Sequence, residues 1–160
     1  ITERFSNIGS KPKLEYIDLL KLIYKSIDYL KKRSSSKIIF IVESTVESAK
    51  VKINKELLGW AIENICKNSI DAVGEKGSIK IKVDSKKNKL LIDITDNGKG
   101  IEKNQFINIF NPGISTKKRG WGLGLSLTKR IIEEYHNGKI FVLKSLKGIE
   151  TTLRIILPKM

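Results

Sequence analysis

The chain is nearly without cysteine and histidine. Cys66 is its single cysteine and His136 its single histidine among 160 residues. One thiol can build neither an intramolecular disulfide nor a thiolate metal site. Flanked by Ile62, Ile65 and Ile70, Cys66 reads as a buried structural residue in a reducing compartment. Runs that could span a bilayer are also missing, since the longest apolar stretch, Ile38-Ile39-Phe40-Ile41-Val42, has strand length. There is no internal repeat, no low-complexity tract and no signal-peptide pattern. The chain opens on Ile1 and is expected to be an excised fragment.

What is present suits one globular domain, with 40% hydrophobic and 30% charged residues. The formal charge is +14 and the pI about 9.8. Such a surface suits nucleic acid, an anionic membrane or an acidic protein. Yet Lys50, Lys52, Lys80, Lys82, Lys86, Lys87 and Lys89 read as scattered rather than gathered with aromatics. Solvated faces are the better reading, and no nucleic-acid partner is expected.

Ile1, Phe5 and Ile8 keep helical spacing until Gly9-Ser10, and residues 1–10 read as the end of a helix begun upstream. Residues 14–32 carry an amphipathic helix pattern on Ile17, Leu20, Ile23, Ile27 and Leu30. A strand follows over residues 37–43. Asn54 is a helix N-cap, and that helix runs to about Val73, where Gly74 closes it. Residues 77–84 and 90–95 form an antiparallel hairpin. Residues 98–122 are mostly loop with a helical turn near Phe106. A helix over residues 123–135 ends at Asn137-Gly138, and residues 139–143 and 151–157 make a second hairpin. Adjacent antiparallel pairs in place of alternating βαβ units predict an α+β fold, with helices on one sheet face.

Three segments carry chemistry. Asn64, Asn68 and Asp71 sit at i, i+4 and i+7, a polar stripe beside the apolar face of the 54–73 helix. Surface polarity would explain them, but asparagine is a mediocre helix former, and its carbonyl is a hard neutral ligand suited to magnesium. Asp96-Asn97-Gly98-Lys99-Gly100 leaves a strand. It is either a tight turn or a carboxylate acceptor for an exocyclic amino group, with glycines that admit a flat ring. Gly120-Trp121-Gly122-Leu123-Gly124 opens a helix, either as a hinge or as backbone donors for an anion. Ser115, Thr116, Lys117, Lys118 and Arg119 precede it, a solvated basic loop or a set of phosphate donors. No G-x-x-x-x-G-K-[ST] loop occurs, and Leu127 stands where a dinucleotide fingerprint needs its third glycine.

In this order the segments resemble the GHKL ATP-binding superfamily of gyrase, heat-shock chaperone ATPases, MutL-type repair proteins and histidine kinases. The likeness covers residues 34–160. Phe110-Asn111-Pro112-Gly113 through Lys118, and Tyr135-His136-Asn137-Gly138, resemble the histidine kinase branch.

The resemblance implies a two-layer, Bergerat-type α/β sandwich with a mixed, mostly antiparallel sheet and a mobile ATP lid. Residues 1–10 would be the end of a dimerisation and phosphoacceptor helix, and residues 11–160 the ATP-binding domain. Asn68 would be the principal Mg²⁺ ligand, with Asn64 assisting at metal or phosphates and Asp71 beside them. Asp96 would take the adenine amino group over a floor shaped by Gly98 and Gly100. Gly120, Gly122, Leu123 and Gly124 would hold phosphates, with Thr116 and Lys117 reaching from a lid anchored by Phe106 and Phe110.

The implied activity is presentation of the γ-phosphate of Mg-ATP to a histidine on a separate dimerisation domain. Signalling would then pass to a response regulator receiver domain in the cytoplasm. The alternatives are a GHKL ATPase driving conformational change, and a basic nucleic-acid module.

Two positions depart from the pattern. Asn64 replaces the glutamate that activates water in hydrolysing branches, and an amide cannot take that proton. Asp71 stands where many kinases of the branch have lysine. His136 lacks the setting of a phosphoacceptor and reads as a turn or capping residue.

Overall fold

The computed structural model describes residues 11–113 and 124–159. The helix-tail reading of residues 1–10 falls outside them. The first described element is a strand, β1 (Glu15–Asp18), where helical spacing suggested a helix from residue 14. The helix begins later because Asp18 caps it. Its Oδ1 accepts the Leu20 N–H at 3.0 Å, and α1 runs over Leu19–Lys31. Leu19, Leu20, Ile23, Ile27 and Leu30 recur every three or four residues and bury one face of α1. Each such side chain contributes about 1.5–3 kcal/mol on full burial.

β1 pairs antiparallel with β3 (Lys50–Ile53), which the sequence reading passed over. Lys50 and Lys52 point out while Val51 and Ile53 point in, a two-residue alternation. Then comes α2 (Lys55–Val73), bounded as its caps predict: Asn54 Oδ1 accepts the Leu57 N–H at 3.0 Å, and Gly74 ends it at φ 75°.

The main sheet holds β2 (Ile38–Ser44), β4 (Gly77–Lys86), β5 (Lys89–Asp96), β6 (Lys139–Leu146) and β7 (Glu150–Pro158), in the order β2-β4-β5-β7-β6. Three pairings are antiparallel. β2 and β4 run parallel, since β3 and α2 carry the chain across between them. The sheet is thus mixed and mostly antiparallel, as the resemblance implies, with one parallel crossover beside the adjacent antiparallel pairs. The two-layer α+β sandwich stands.

Helices cover one face, over Ile79, Ile81, Val83, Leu90, Ile92, Ile94, Leu153, Ile155 and Leu157. The other face mixes charged side chains with exposed Ile39 and Ile41, and there Arg154 clasps Asp93 through two hydrogen bonds of 2.7 and 2.8 Å. Cys66 lies in the core, where burial pushes its thiol up to about 12, as its structural reading requires.

After β5, short 3₁₀ turns at Lys103–Gln105 and Asn108–Phe110 stand where one helical turn was expected. α3 (Gly124–Arg130) widens to π geometry over Ile131–Tyr135 and stops at His136. The buried His136 ring makes a 2.8 Å hydrogen bond from Nδ1 to the Ile131 carbonyl and one of 3.1 Å from the Asn54 N–H to Nε2. A single neutral tautomer, protonated on Nδ1, satisfies both. His136 therefore ends one helix and ties it to the cap of another.

Candidate functional site

α2, the exit of β5 and the start of α3 converge on a cavity of about 330 Å³. α2 contributes Ile65, Asn68, Ser69, Asp71 and Ala72, the β5 exit Asp96, Lys99, Gly100, Ile101 and Glu102, and α3 Leu125. Gln105 and Ile109 come from the 3₁₀ turns, and Thr151 and Leu153 from β7. The lining is chiefly apolar, with a few polar groups placed among the aliphatic side chains, the usual make-up of a small-molecule pocket.

Asp96 is the buried acid of the site. It ends β5, paired with Ile79 on one side and Thr151 on the other. Its Oδ1 accepts the Gly98 N–H at 2.9 Å, and the Ser69 side chain also bonds the carboxylate. Burial raises its pKa above the ordinary carboxylate value, while those two hydrogen bonds pull it back. A carboxylate offers about four acceptor positions, so capacity remains for a ligand donor.

The loop after Asp96 is pressed onto α2. The Lys99 N–H donates to the Ala72 carbonyl at 3.1 Å, and a Cβ on Gly98 would lie 2.4 Å from the Ala72 carbonyl carbon. Only glycine lets the two backbones approach so closely. From the other side the β6–β7 turn braces the loop. The Gly148 N–H donates to the Gly98 carbonyl at 2.9 Å, and the Ile101 N–H to Ser145 Oγ at 2.8 Å.

The predicted residues divide into three groups. Asn68, Asp71, Asp96 and Gly100 line the cavity, and Gly98 sits buried behind it. Asn64 is one helical turn away from Asn68, packed on α3 rather than lining the cavity. Its Nδ2 donates to Thr128 Oγ1 at 3.0 Å, and Gly124 lies against its amide. Thr116, Lys117, Gly120, Gly122 and Leu123 lie outside the described residues. Phe110 is buried in the core and Phe106 packs against it.

Sequence reasoning missed Ser69, Thr128, Thr151 and the aliphatic lining. Ser69 is adjacent to Asn68 and could have been read from that position, whereas Thr151 and Thr128 become visible only through long-range pairing.

Among the described residues no group of three or more His, Cys, Asp and Glu side chains gathers for a metal. The Asn68 amide is the principal candidate ligand, with the Asn64 amide one turn away and the Asp71 carboxylate beside the cavity. This sparse oxygen set fits Mg²⁺, which keeps several waters and takes its other ligands from phosphates.

On the outward face of α1 and the turn that follows it, Lys21, Lys25, Lys32 and Arg33 gather with Tyr24, Asp28 and Tyr29, and the Arg33 guanidinium stacks 3.8 Å over the Tyr29 ring.

The family described as histidine kinase-, DNA gyrase B-, and HSP90-like ATPase matches residues 53–160. The sensor histidine kinase ZraS of Salmonella typhimurium is 33% identical over 147 residues, covering 91% of this chain and 31% of that protein. The signal transduction histidine-protein kinase AtoS of Escherichia coli is 38% identical over 127 residues, covering 77% of this chain and 20% of that protein. The chain thus spans a third or less of these relatives. Among solved structures, the nucleotide-free catalytic domain of histidine kinase ThkA superposes with a TM-score of 0.81 at 27% identity, covering 92% of this chain and 96% of that one. ThkA in complex with the response regulator protein TrrA gives 0.80 at 26% identity, covering 92% and 42%.

Proposed function

The chain belongs to the histidine kinase-, DNA gyrase B-, and HSP90-like ATPase family, and from that premise we propose that it binds Mg-ATP and presents the γ-phosphate to a histidine on a separate dimerisation domain. The observation that carries this reading is the meeting of Asn68, Asp71 and Asp96 at one cavity of about 330 Å³.

In this mechanism Asp96 accepts the adenine amino group, held in place by Ser69 and the Gly98 N–H. Ile65, Ile101, Ile109, Leu125 and Leu153 enclose the base and exclude water. Asn68 would supply the principal oxygen to Mg²⁺, with Asn64 assisting and Asp71 beside them. The ion neutralises phosphate charge when bound. Of the residues that the resemblance assigns to the phosphates, Gly124 opens α3, whereas Gly120, Gly122 and Leu123, with Thr116 and Lys117, lie outside the described residues. Phosphoryl transfer needs positioning and charge neutralisation more than covalent help from the protein. Asn64 cannot deprotonate water, so the bound nucleotide waits for the acceptor histidine rather than being hydrolysed.

We assign residues 11–160 to the ATP-binding domain. The phosphoryl group passes onward to a response regulator receiver domain. The named likenesses to sensor histidine kinases, and to a kinase bound to a response regulator, support this assignment. No helix among the described residues is long and apolar enough to cross a membrane. We place the domain in the cytoplasm, where ATP is supplied.

Calorimetric titration with ATP and Mg²⁺ tests the proposal. Binding without self-labelling is expected, together with transfer to an added dimerisation domain bearing the acceptor histidine. Absence of ATP binding in the presence of Mg²⁺ overturns it. Steady ATP turnover that is lost on Glu63→Ala, which removes the carboxylate next to Asn64 on α2, would assign the chain to the hydrolysing branch instead.

A further inference from the structure

The geometry points to Thr128 as a positioning residue that fixes which arm of the Asn64 amide is presented to the Mg-triphosphate, an inference that rests on the function proposed above. Thr128 is fully buried, and its hydroxyl has one proton to give. That proton goes to the Gly124 carbonyl at 2.7 Å, the i−4 bond a helical threonine commonly makes. Toward Asn64 the same hydroxyl can therefore only accept. The amide must turn its NH₂ to Thr128, at 3.0 Å, and Oδ1 becomes the arm presented to the ligand.

Gly124 makes room for this arrangement. A Cβ there would sit 2.8 Å from Nδ2 and 3.0 Å from Oδ1, so any side chain would push the amide off its seat. A side chain at position 124 would therefore be felt at this amide. The same hydroxyl links α2 to the first turn of α3, where residues 114–123 rejoin the described chain. Magnesium takes oxygen ligands, whereas an inverted amide would aim N–H groups at the cation. Loss of the Thr128 hydroxyl should therefore weaken the Mg²⁺-dependent part of nucleotide affinity and spare the rest.

The test is calorimetric titration of a non-hydrolysable ATP analogue across a Mg²⁺ series and in EDTA. Thr128→Val keeps the shape and removes both hydrogen bonds. It should raise the Mg²⁺ concentration for half-maximal affinity about tenfold and leave affinity in EDTA within about twofold. Thr128→Ser restores donor and acceptor and should behave as wild type. In the Asn64→Ala background Thr128→Val should add nothing, because it acts through that amide.

An unchanged Mg²⁺ response in Thr128→Val overturns the inference. So does an equal loss with and without Mg²⁺, a serine variant as impaired as valine, or additive losses in the double variant. If the wild type shows no Mg²⁺ dependence, the metal assignment fails and this inference falls with it. Mg²⁺ dependence that survives in Asn64→Ala, or that is weakened in Asn64→Ala but unchanged in Thr128→Val, sinks the inference alone.

Discussion

α1 and α2 pack side by side on one sheet face and treat their polar residues in opposite ways. α1 and the turn that follows it present Lys21, Tyr24, Lys25, Tyr29, Lys32 and Arg33 to solvent. Those charges keep their hydration, and their placement costs the fold almost nothing. α2 buries eight residues and holds Asn64 and Asn68 half-buried against neighbouring elements. A polar group withdrawn from water costs free energy unless it is matched, so each one on α2 has a specific partner or a ligand to meet. Chemistry belongs where polar placement is expensive. The positively charged stripe on α1 draws the eye in the sequence, yet the sparse amides and acids of α2 and the β5 exit build the cavity.

The contrast breaks most visibly at Gly98, where α2 and the β5 exit touch backbone to backbone. Gly98→Ala would set a methyl 2.4 Å from the Ala72 carbonyl carbon, and no side-chain rotation relieves a clash with main chain. We expect a loss of about 3 kcal/mol in denaturant unfolding, with nucleotide affinity lost alongside. Asp96→Asn comes next. It keeps the shape and an oxygen for the Gly98 N–H, but it can turn an NH₂ toward the adenine amino group. ATP affinity should fall about 100-fold while the unfolding midpoint stays near wild type, a loss of about 3 kcal/mol for a charge-assisted hydrogen bond. An unaltered affinity in that variant would remove Asp96 from base recognition.

Local chemistry made much of this legible from sequence. The Asn54 cap, the Gly74 stop and the period-two alternation of β4 and β5 are all short-range signals, and each marks an element the structure contains. β1 was misread as helix because Ile17 fits a helical stripe, while its actual partner is Val51, far along the chain. Nothing local announces such a pairing. The parallel register of β2 on β4 has the same origin. At the site, the polar stripe of α2 and the Asp96 turn were visible as residue types at suggestive spacings. Thr128 and Thr151 were not, since each matters through a neighbour brought in by tertiary packing.

His136 offers a subtler way to sharpen the contrast, because it grips the cap of α2 and leaves α1 alone. Burial holds its pKa below the ordinary 6.5, and the hydrogen bond to the Ile131 carbonyl only partly offsets this. The unfolded chain therefore takes up a proton that the folded chain resists. The stabilisation is complete above about 6.5 and is lost as pH falls from there through the lower folded value, with a slope of at most about 1.4 kcal/mol per pH unit. Unfolding midpoints measured between pH 7.5 and 5 should show this fall in the wild type. It should be flattened in His136→Phe, whose overall stability drops because the Asn54 N–H loses its acceptor.

The smallest expected effect is the one on which the comparison turns. Reversing Lys21 and Lys25 to glutamate changes the net charge by four units on a fully solvated helix face. At physiological salt the Debye length is about 8 Å, so charges on the outer face of α1 are largely screened from a cavity built by α2, the β5 exit and α3. Stability should stay within about 0.5 kcal/mol of wild type and ATP affinity within about twofold. Arg33→Ala, which removes the stacking on Tyr29, should cost no more than about 1 kcal/mol. A tenfold loss of ATP affinity in the lysine reversal would mean that the stripe belongs to the nucleotide site after all. If that variant instead abolished a salt-sensitive association with DNA, nucleic acid would be a partner of this face, and the division of labour between the two helices would have to be redrawn.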